Sequence, residues 1–325
     1  MDLDHGQFGR IGVLMGGCSS EREVSLKSGK AVFHALEEAG CDVVPVDLTS
    51  FDPGLNKRVI KDAGIELAFI TLHGVYGEDG QIQSLLEEMG IPYIGSGVEA
   101  NRIAIDKIQT QFLLKKEGVP VSEFCVVQQG DGPCGMAKAC AMAEQGTVVV
   151  KPACEGSSIG VEIVHEIEKL APAVEQALGY GSRVLIERYI TGREFTAGIL
   201  GGEALPIVEI RPKAVFFDFQ AKYQKGMTEY IVPAQIDQEL SRKIQGIALK
   251  VFHAIGCRDL ARIDFIVDEE RRPFVLEVNT IPGFTATSLL PMAAQVTGCD
   301  FQNLCLRLAR FAAARKSSGV SCNRE

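Results

Sequence analysis

The stretch Arg262–Gly283, RIDFIVDEERRPFVLEVNTIPG, contains two short apolar runs that carry polar residues two positions apart and end at a Pro-Gly loop. Glu277 and Asn279 close the run that starts at Phe274, and the two-residue period of a strand aims both oxygen-bearing side chains at one face. Arg262 and Asp264 repeat that geometry on the run from Leu260 to Val267. If the two strands are neighbours, Asp264, Glu277 and Asn279 converge as hard oxygen ligands. Such a set suits Mg²⁺, which takes few carboxylates and keeps positions for water and substrate phosphates. The plainer alternative is a pair of amphipathic strands with solvated polar edges. The rest of the chain weighs against it.

With 325 residues, 46% of them hydrophobic and 23% charged, the chain has material for two or three packed units. Its net charge of -9 and its lack of a long basic run exclude a sequence-independent grip on nucleic acid. No apolar stretch approaches the roughly 20 residues that span a bilayer, and the first residues lack the layout of a secretory signal. The expected location is the cytoplasm, with no membrane partner. Ten cysteines without a C-x-x-C pair imply reduced structural thiols, so neither a disulfide nor a zinc site is expected.

The first ten residues carry little apolar periodicity and read as loose. An apolar run from Ile11 to Met15 then meets Gly16 and Gly17, and a helix follows whose Ser20 and Glu23 have capping-box spacing. Its predicted buried stripe includes Val24, Ala31, Val32, Ala35, Leu36 and Ala39. Further strand and helix signals up to Gly95-Ser96-Gly97 continue the alternation of a parallel α/β sheet. A second unit spans 98–188, with a helix predicted over Ala104–Glu117, and a third spans 189–314, closing on a helix with Arg307, Arg310 and Arg315 opposite its apolar face. Residues 315–325 read as a disordered tail.

The turn after the first strand lacks the G-x-G-x-x-G pattern of a dinucleotide site and carries Glu21 and Glu23 where a pyrophosphate needs none, which leaves nicotinamide binding as the weakest reading. Glu21, near the helix start, can hold the ammonium of a small amino acid. Glu23 is read as complementing the helix dipole. Farther along, a β-branched strand ends at Lys151 and is followed by Glu155-Gly156-Ser157-Ser158-Ile159-Gly160 before another strand. This is a hairpin whose glycines allow close backbone approach, whose hydroxyls can donate to phosphate oxygens, and whose preceding lysine can neutralise them. An ordinary exposed hairpin tip is the alternative.

Taken together, the motifs GGCSSEREVSLKSG, LHGVYGEDG, KPACEGSSIG, FDFQAKY, RIDFIV and LEVNTIPGFTATSLLPMAA, in that order, resemble the ATP-grasp carboxylate-amine ligases, and within them the D-alanine--D-alanine ligase family. The resemblance covers nearly the whole chain. It implies an α/β fold, α+β in the ATP-grasp part, with three domains and an N-terminal Rossmann-like parallel sheet. It implies ATP as substrate, bound by Lys107, Lys151, Glu155, Ser157, Ser158 and Lys222, with Glu187 and Glu194 in the adenine and ribose region. Two Mg²⁺ ions, or Mn²⁺, fall to Asp264, Glu277 and Asn279. Glu21, Ser157 and Tyr223 match the family's trio that closes a loop over the site. Glu21 with His73 faces the first D-alanine, Ser288 and Leu289 meet the carboxylate of the second, and Arg262 with the Gly283 amide faces the reacting oxygen. Relatives are commonly homodimers. The Ala221-Lys222-Tyr223 triplet resembles the dipeptide-forming branch, while a D-lactate ester former and a catalytically silent ATP-binding relative remain the alternatives.

Overall fold

The computed structural model describes residues 8–212 and 228–317. The roles expected of Lys222 and Tyr223 fall outside those residues. Strand β1 (Ile11–Gly16) is buried along its whole length, as the centre of a parallel sheet requires, and β2 (Val43–Leu48) and β3 (Leu67–Ile70) flank it in parallel. Contrary to the expectation of a loose start, Phe8 is buried in the core beneath this sheet. Gly16 and Gly17, at φ 84° and 81°, make the turn into helix α1 (Arg22–Glu38). The helix lies so close to β1 that a Cβ on Gly29 would stand 2.5 Å from that of Met15. Its buried face is consequently built from small residues, Ser25, Ser28 and Gly29, continued by Val32, Ala35 and Leu36. Val24, Ala31 and Ala39, predicted for the stripe, are only partly buried. The predicted capping box is not formed either, because Glu21 occupies the capping position and makes no side-chain cap bond.

After α2 (Pro53–Ala63) and α3 (Gln81–Glu88), the single helix predicted over Ala104–Glu117 is two helices, α4 (Val98–Ile105) and α5 (Lys107–Lys116). Asp106 breaks them. Its extended backbone (φ -85°, ψ 97°) frees its carboxylate to accept the N–H groups of Ile108 and Gln109 at 3.0 and 3.1 Å and to pair with Arg183 at 2.7 Å. The break sets Lys107 in the first turn of α5. Replacing Asp106 by Ala should lower stability by about 1–2 kcal/mol, as loss of a side-chain cap does, and urea denaturation would read it. An unchanged midpoint would show that the cap carries no weight.

The second sheet, antiparallel in the order β4-β7-β5-β6, comprises β4 (Phe124–Gln128), β5 (Val148–Pro152), β6 (Glu162–Val164) and β7 (Arg183–Arg188). Helices α6 (Pro133–Glu144) and α7 (Leu170–Leu178) contribute Ala139, Met142, Ala173, Val174 and Ala177 to its core. In the third sheet, β8 (Gly192–Leu200), β10 (Val208–Pro212), β11 (Thr228–Ile231), β12 (Leu260–Asp268) and β13 (Pro273–Asn279) run β11-β10-β8-β12-β13, with the short β9 (Glu203–Ala204) on β8. Helix α8 (Gln238–Ile255) packs Ile244, Ala248 and Val251 against it.

The closing helices α9 (Leu289–Val296) and α10 (Phe301–Ser317) share one core with β1, β3 and α1. Helix α10 extends beyond the expected boundary at 314. Arg315, expected on its outer face, donates to the Asp259 carboxylate at 2.6 and 2.8 Å and to the Tyr93 carbonyl at 2.6 Å. Asp259 also accepts the Gly95 N–H at 2.8 Å. The C-terminal helix thereby locks the end of the first unit. Among the described residues no helix is long and apolar enough to cross a membrane.

Candidate active site

Strands β12 and β13 pair antiparallel with Arg262 opposite Asn279 and Asp264 opposite Glu277, so the two polar pairs read from the sequence do meet. The register then slips, leaving Leu276 as an extra residue facing the gap between Asp264 and Phe265. A bulge re-aims the side chains beside it, and this one falls next to Glu277, which lines the cavity between the sheets. Sequence periodicity carries no sign of the slip.

That cavity, of about 620 Å³, is lined by Lys107, Lys151, Glu155, Ser158, Glu187, Glu194, Asp264 and Glu277. A second, of about 780 Å³, is lined by Glu21, His73, Ser157, Arg262, Asn279, Gly283, Ser288 and Leu289. Lys107, Glu155 and Glu277 line both. The two chambers meet at a lysine and two acidic residues. Every predicted site residue that lies within the described chain lines one chamber or the other.

In the first chamber, Lys151 is paired with Glu187, whose other oxygen accepts from Gln111 at 2.8 Å. Burial alone would depress the lysine, but the charge and hydrogen bond of Glu187, with Glu277 and Glu194 behind it, hold its pKa above the ordinary 10.5. Lys107 donates to the Glu155 carbonyl at the base of the hairpin tip. At the tip itself Ser157 and Ser158 sit at φ 51° and 60°, a region that L-residues rarely occupy. The turn sends Ser158 toward one chamber and Ser157 toward the other.

In the second chamber, the Ser157 hydroxyl donates to the Glu21 carboxylate. The contact explains why Glu21 does not cap its helix, and why residue 156 is glycine: a Cβ there would stand 2.7 Å from Glu21 Oε2. Glu78 also lines this chamber and accepts the Gly74 N–H at 2.6 Å; burial and the Glu21 charge push its pKa upward. Glu78 had no signal in the sequence beyond its place in LHGVYGEDG. Ser288 stands at the N-cap of α9, its hydroxyl 3.0 Å from the Thr285 N–H, so the helix end with its free N–H groups opens to the chamber.

The Asp264 carboxylate accepts from Arg262 Nε and Nη2 at 2.9 and 2.7 Å, from Thr196 at 2.5 Å and from Asn279 Nδ2 at 3.1 Å. Two carboxylates and an amide oxygen are hard donors, and they fit Mg²⁺ or Mn²⁺ rather than a thiophilic metal. Asn279 presents its nitrogen to Asp264 here and would turn its oxygen to a cation. Among the described residues no group of three His, Cys, Asp or Glu side chains is placed to hold a metal ion, and the set here counts two carboxylates and one amide.

Residues 10–61 and 53–96 match the family described as D-ala D-ala ligase N-terminus, and residues 113–310 match D-ala D-ala ligase C-terminus. Among curated proteins, D-alanine--D-alanine ligase of Syntrophotalea carbinolica is 45% identical over 94% of this chain and 97% of its own length. That of Desulforudis audaxviator is 46% identical over 94% and 99%. A crystal structure of D-alanine--D-alanine ligase from Bacillus anthracis complexed with ATP superposes with a TM-score of 0.82 at 32% identity, covering 95% of this chain and 99% of that one. With both of its halves matched and its fold shared, the chain belongs to the D-alanine--D-alanine ligase family.

Proposed function

We propose that the protein joins two D-alanine molecules into D-alanyl-D-alanine at the expense of ATP, for peptidoglycan precursor synthesis. The observation that carries this reading is the pair of chambers meeting at Lys107, Glu155 and Glu277, one lined by Lys151, Glu187 and Glu194 and read as the nucleotide's, the other by Glu21, Arg262 and Ser288 and read as that of two amino acids. The carboxylate of the first D-alanine attacks the γ-phosphorus and ADP leaves, giving an acyl phosphate. The amine of the second attacks the acyl carbon, and the tetrahedral centre expels phosphate. No protein nucleophile is needed.

Each residue has a part in bringing two anions together. Lys107 and Lys151 hold phosphate oxygens, Glu155, Ser157 and Ser158 belong to the loop over them, and Glu187 and Glu194 serve the adenine and ribose. Glu21 faces the ammonium of the first D-alanine with His73 nearby, and the Ser288-Leu289 helix end takes the carboxylate of the second. Arg262 and the Gly283 N–H face the oxygen that becomes charged at the tetrahedral centre. Mg²⁺ held by Asp264, Glu277 and Asn279 would neutralise phosphate charge. Positioning and electrostatics thus supply most of the acceleration.

The division at 1–97, 98–188 and 189–314 is part of this reading, supported by three sheets that each fall within one span. So are a cytoplasmic location and a homodimer, as is usual for the family. Water must be kept from the acyl phosphate, a task the family resemblance gives to Tyr223 together with the Ser157 hairpin, while Lys222 is expected at ATP. Tyr223→Phe should raise phosphate release uncoupled from dipeptide; unchanged coupling would count against a lid role for its hydroxyl. The overall test is phosphate release from ATP with D-alanine, L-alanine or D-lactate as sole added substrate, with detection of the condensed product. D-Alanine alone should give stoichiometric phosphate and dipeptide, and a preference for D-lactate or no turnover would overturn the assignment.

A further inference from the structure

The loop that presents the Gly283 amide is mounted on the N-terminal sheet unit through Ser28, which has no part in the scheme above, and through His73, which lies beside the first D-alanine there. The Phe284 N–H donates to Ser28 Oγ at 3.2 Å, and the same oxygen lies 3.2 Å from His73 Nε2. Ser28 is 1% exposed and His73 5%. The His73 carbonyl is held by the Ser19 hydroxyl at 2.7 Å, and its ring makes a further hydrogen bond to the backbone of Ile281 that favours the protonated ring, as a carbonyl acceptor does. Phe284 itself is clasped between the rings of Phe69 and Phe301, with centroids 5.7 and 5.5 Å away. A neutral imidazole has one N–H and one acceptor nitrogen, and with its proton on Nδ1 the Nε2 that lies against Ser28 is the acceptor. The Ser28 hydroxyl, accepting from Phe284, has its one proton for that nitrogen.

We infer that Ser28 is a positioning residue for the Gly283 amide, accepting the neighbouring Phe284 N–H and donating to His73 Nε2, and that His73 acts in this mounting as a neutral acceptor. The inference rests on the ligase reading only for what the amide does to the reacting oxygen. Burial keeps the ring neutral, lowering its pKa to about 4 against the opposing Ile281 hydrogen bond, and Arg262 of β12 adds to the effect. The other charged groups lining its chamber are Glu21 and Lys27 at the head of α1, Glu78 in the loop before α3, Lys107 at the start of α5, Glu155 of the hairpin and Glu277 of β13.

Ser28→Ala leaves the Phe284 N–H without its acceptor and Nε2 without its donor. In assays with ATP and D-alanine, kcat should fall about tenfold or more, less than when an oxyanion donor is deleted outright, with KM for ATP within about twofold. Loss of a hydrogen bond to the neutral ring should also make His73 bind a proton about tenfold more tightly in an NMR titration, with the unmoved KM for ATP showing that the site has not simply opened to water. A kcat within twofold of the parent, or an unmoved His73 titration, overturns the inference. Should the variant not fold, nitrogen-15 shifts of the unmutated protein decide it: an unprotonated Nε2 at pH 7 supports the relay, and a protonated Nε2 overturns it. If the parent makes no dipeptide the ligase reading falls, while the ring measurements still judge the Ser28 contact.

Discussion

Arg262→Met should slow dipeptide formation about 10²–10³-fold while leaving ATP affinity within a few-fold, because the guanidinium is placed to meet charge that exists only at the tetrahedral centre. Its location makes the expectation specific. Arg262 lines the amino-acid chamber and not the nucleotide one, and it is aimed there by its two hydrogen bonds to Asp264. Methionine keeps much of the apolar stem but supplies no donor. Substitution also strips Asp264 of two hydrogen bonds, so a modest change in the cation requirement should accompany the loss of rate. Steady-state kinetics in both substrates would separate the effects. A full rate would show that Arg262 is not an oxyanion donor, and a loss confined to KM for ATP would place it with the nucleotide.

Glu187→Ala should cost about 3 kcal/mol of folding free energy at pH 7. Breaking a buried ion pair typically costs about 3–5 kcal/mol, since the partner stays behind as an uncompensated charge. The lower end applies because Glu277 and Glu194 still face Lys151. The side chains are 14% and 4% exposed, which leaves little water to take over. A lysine whose pKa is raised on folding contributes fully below its unfolded value of about 10.5 and loses that contribution as pH rises through the folded value, so the deficit should shrink only at strongly alkaline pH. Urea denaturation of parent and variant at pH 7 and at the alkaline limit would check both points. A loss below about 1 kcal/mol would mean that the pair is not desolvated as the fold implies. Replacing both partners with apolar residues of similar volume should recover most of the stability, separating the effect of an orphaned charge from the worth of the pair.

Much of this was legible before any coordinates. Strand periodicity placed Arg262 with Asp264 and Glu277 with Asn279, and the structure adds that the two strands are partners and that their register slips at Leu276. Lys151 ahead of a Gly- and Ser-rich turn marked the hairpin proposed to hold phosphate, and its pairing with Glu187 could not have been chosen from spacing. The break at Asp106 was hidden because the apolar pattern runs on through it; only the meeting with Arg183, 77 residues away, shows why a cap sits there. The polar face of α1 was misread for a related reason. A buried serine looks like a solvated one until its partner is known, and Ser28 finds Phe284 at a separation of 256 residues.

What the sequence by itself determined is local: the periods of strand and helix, the turns that only glycine makes easily, the residue types able to hold a cation or a phosphate, and the order of motifs that marks the family. What the tertiary structure alone decided is which of those groups share a space. The bulge at Leu276, the contact of Glu21 with Ser157 and the junction of two chambers at Lys107, Glu155 and Glu277 all depend on chain segments that are distant in sequence. Periodicity repeats within a few residues and can be read along the chain, whereas the partner of a buried polar group is set by the packing of whole elements.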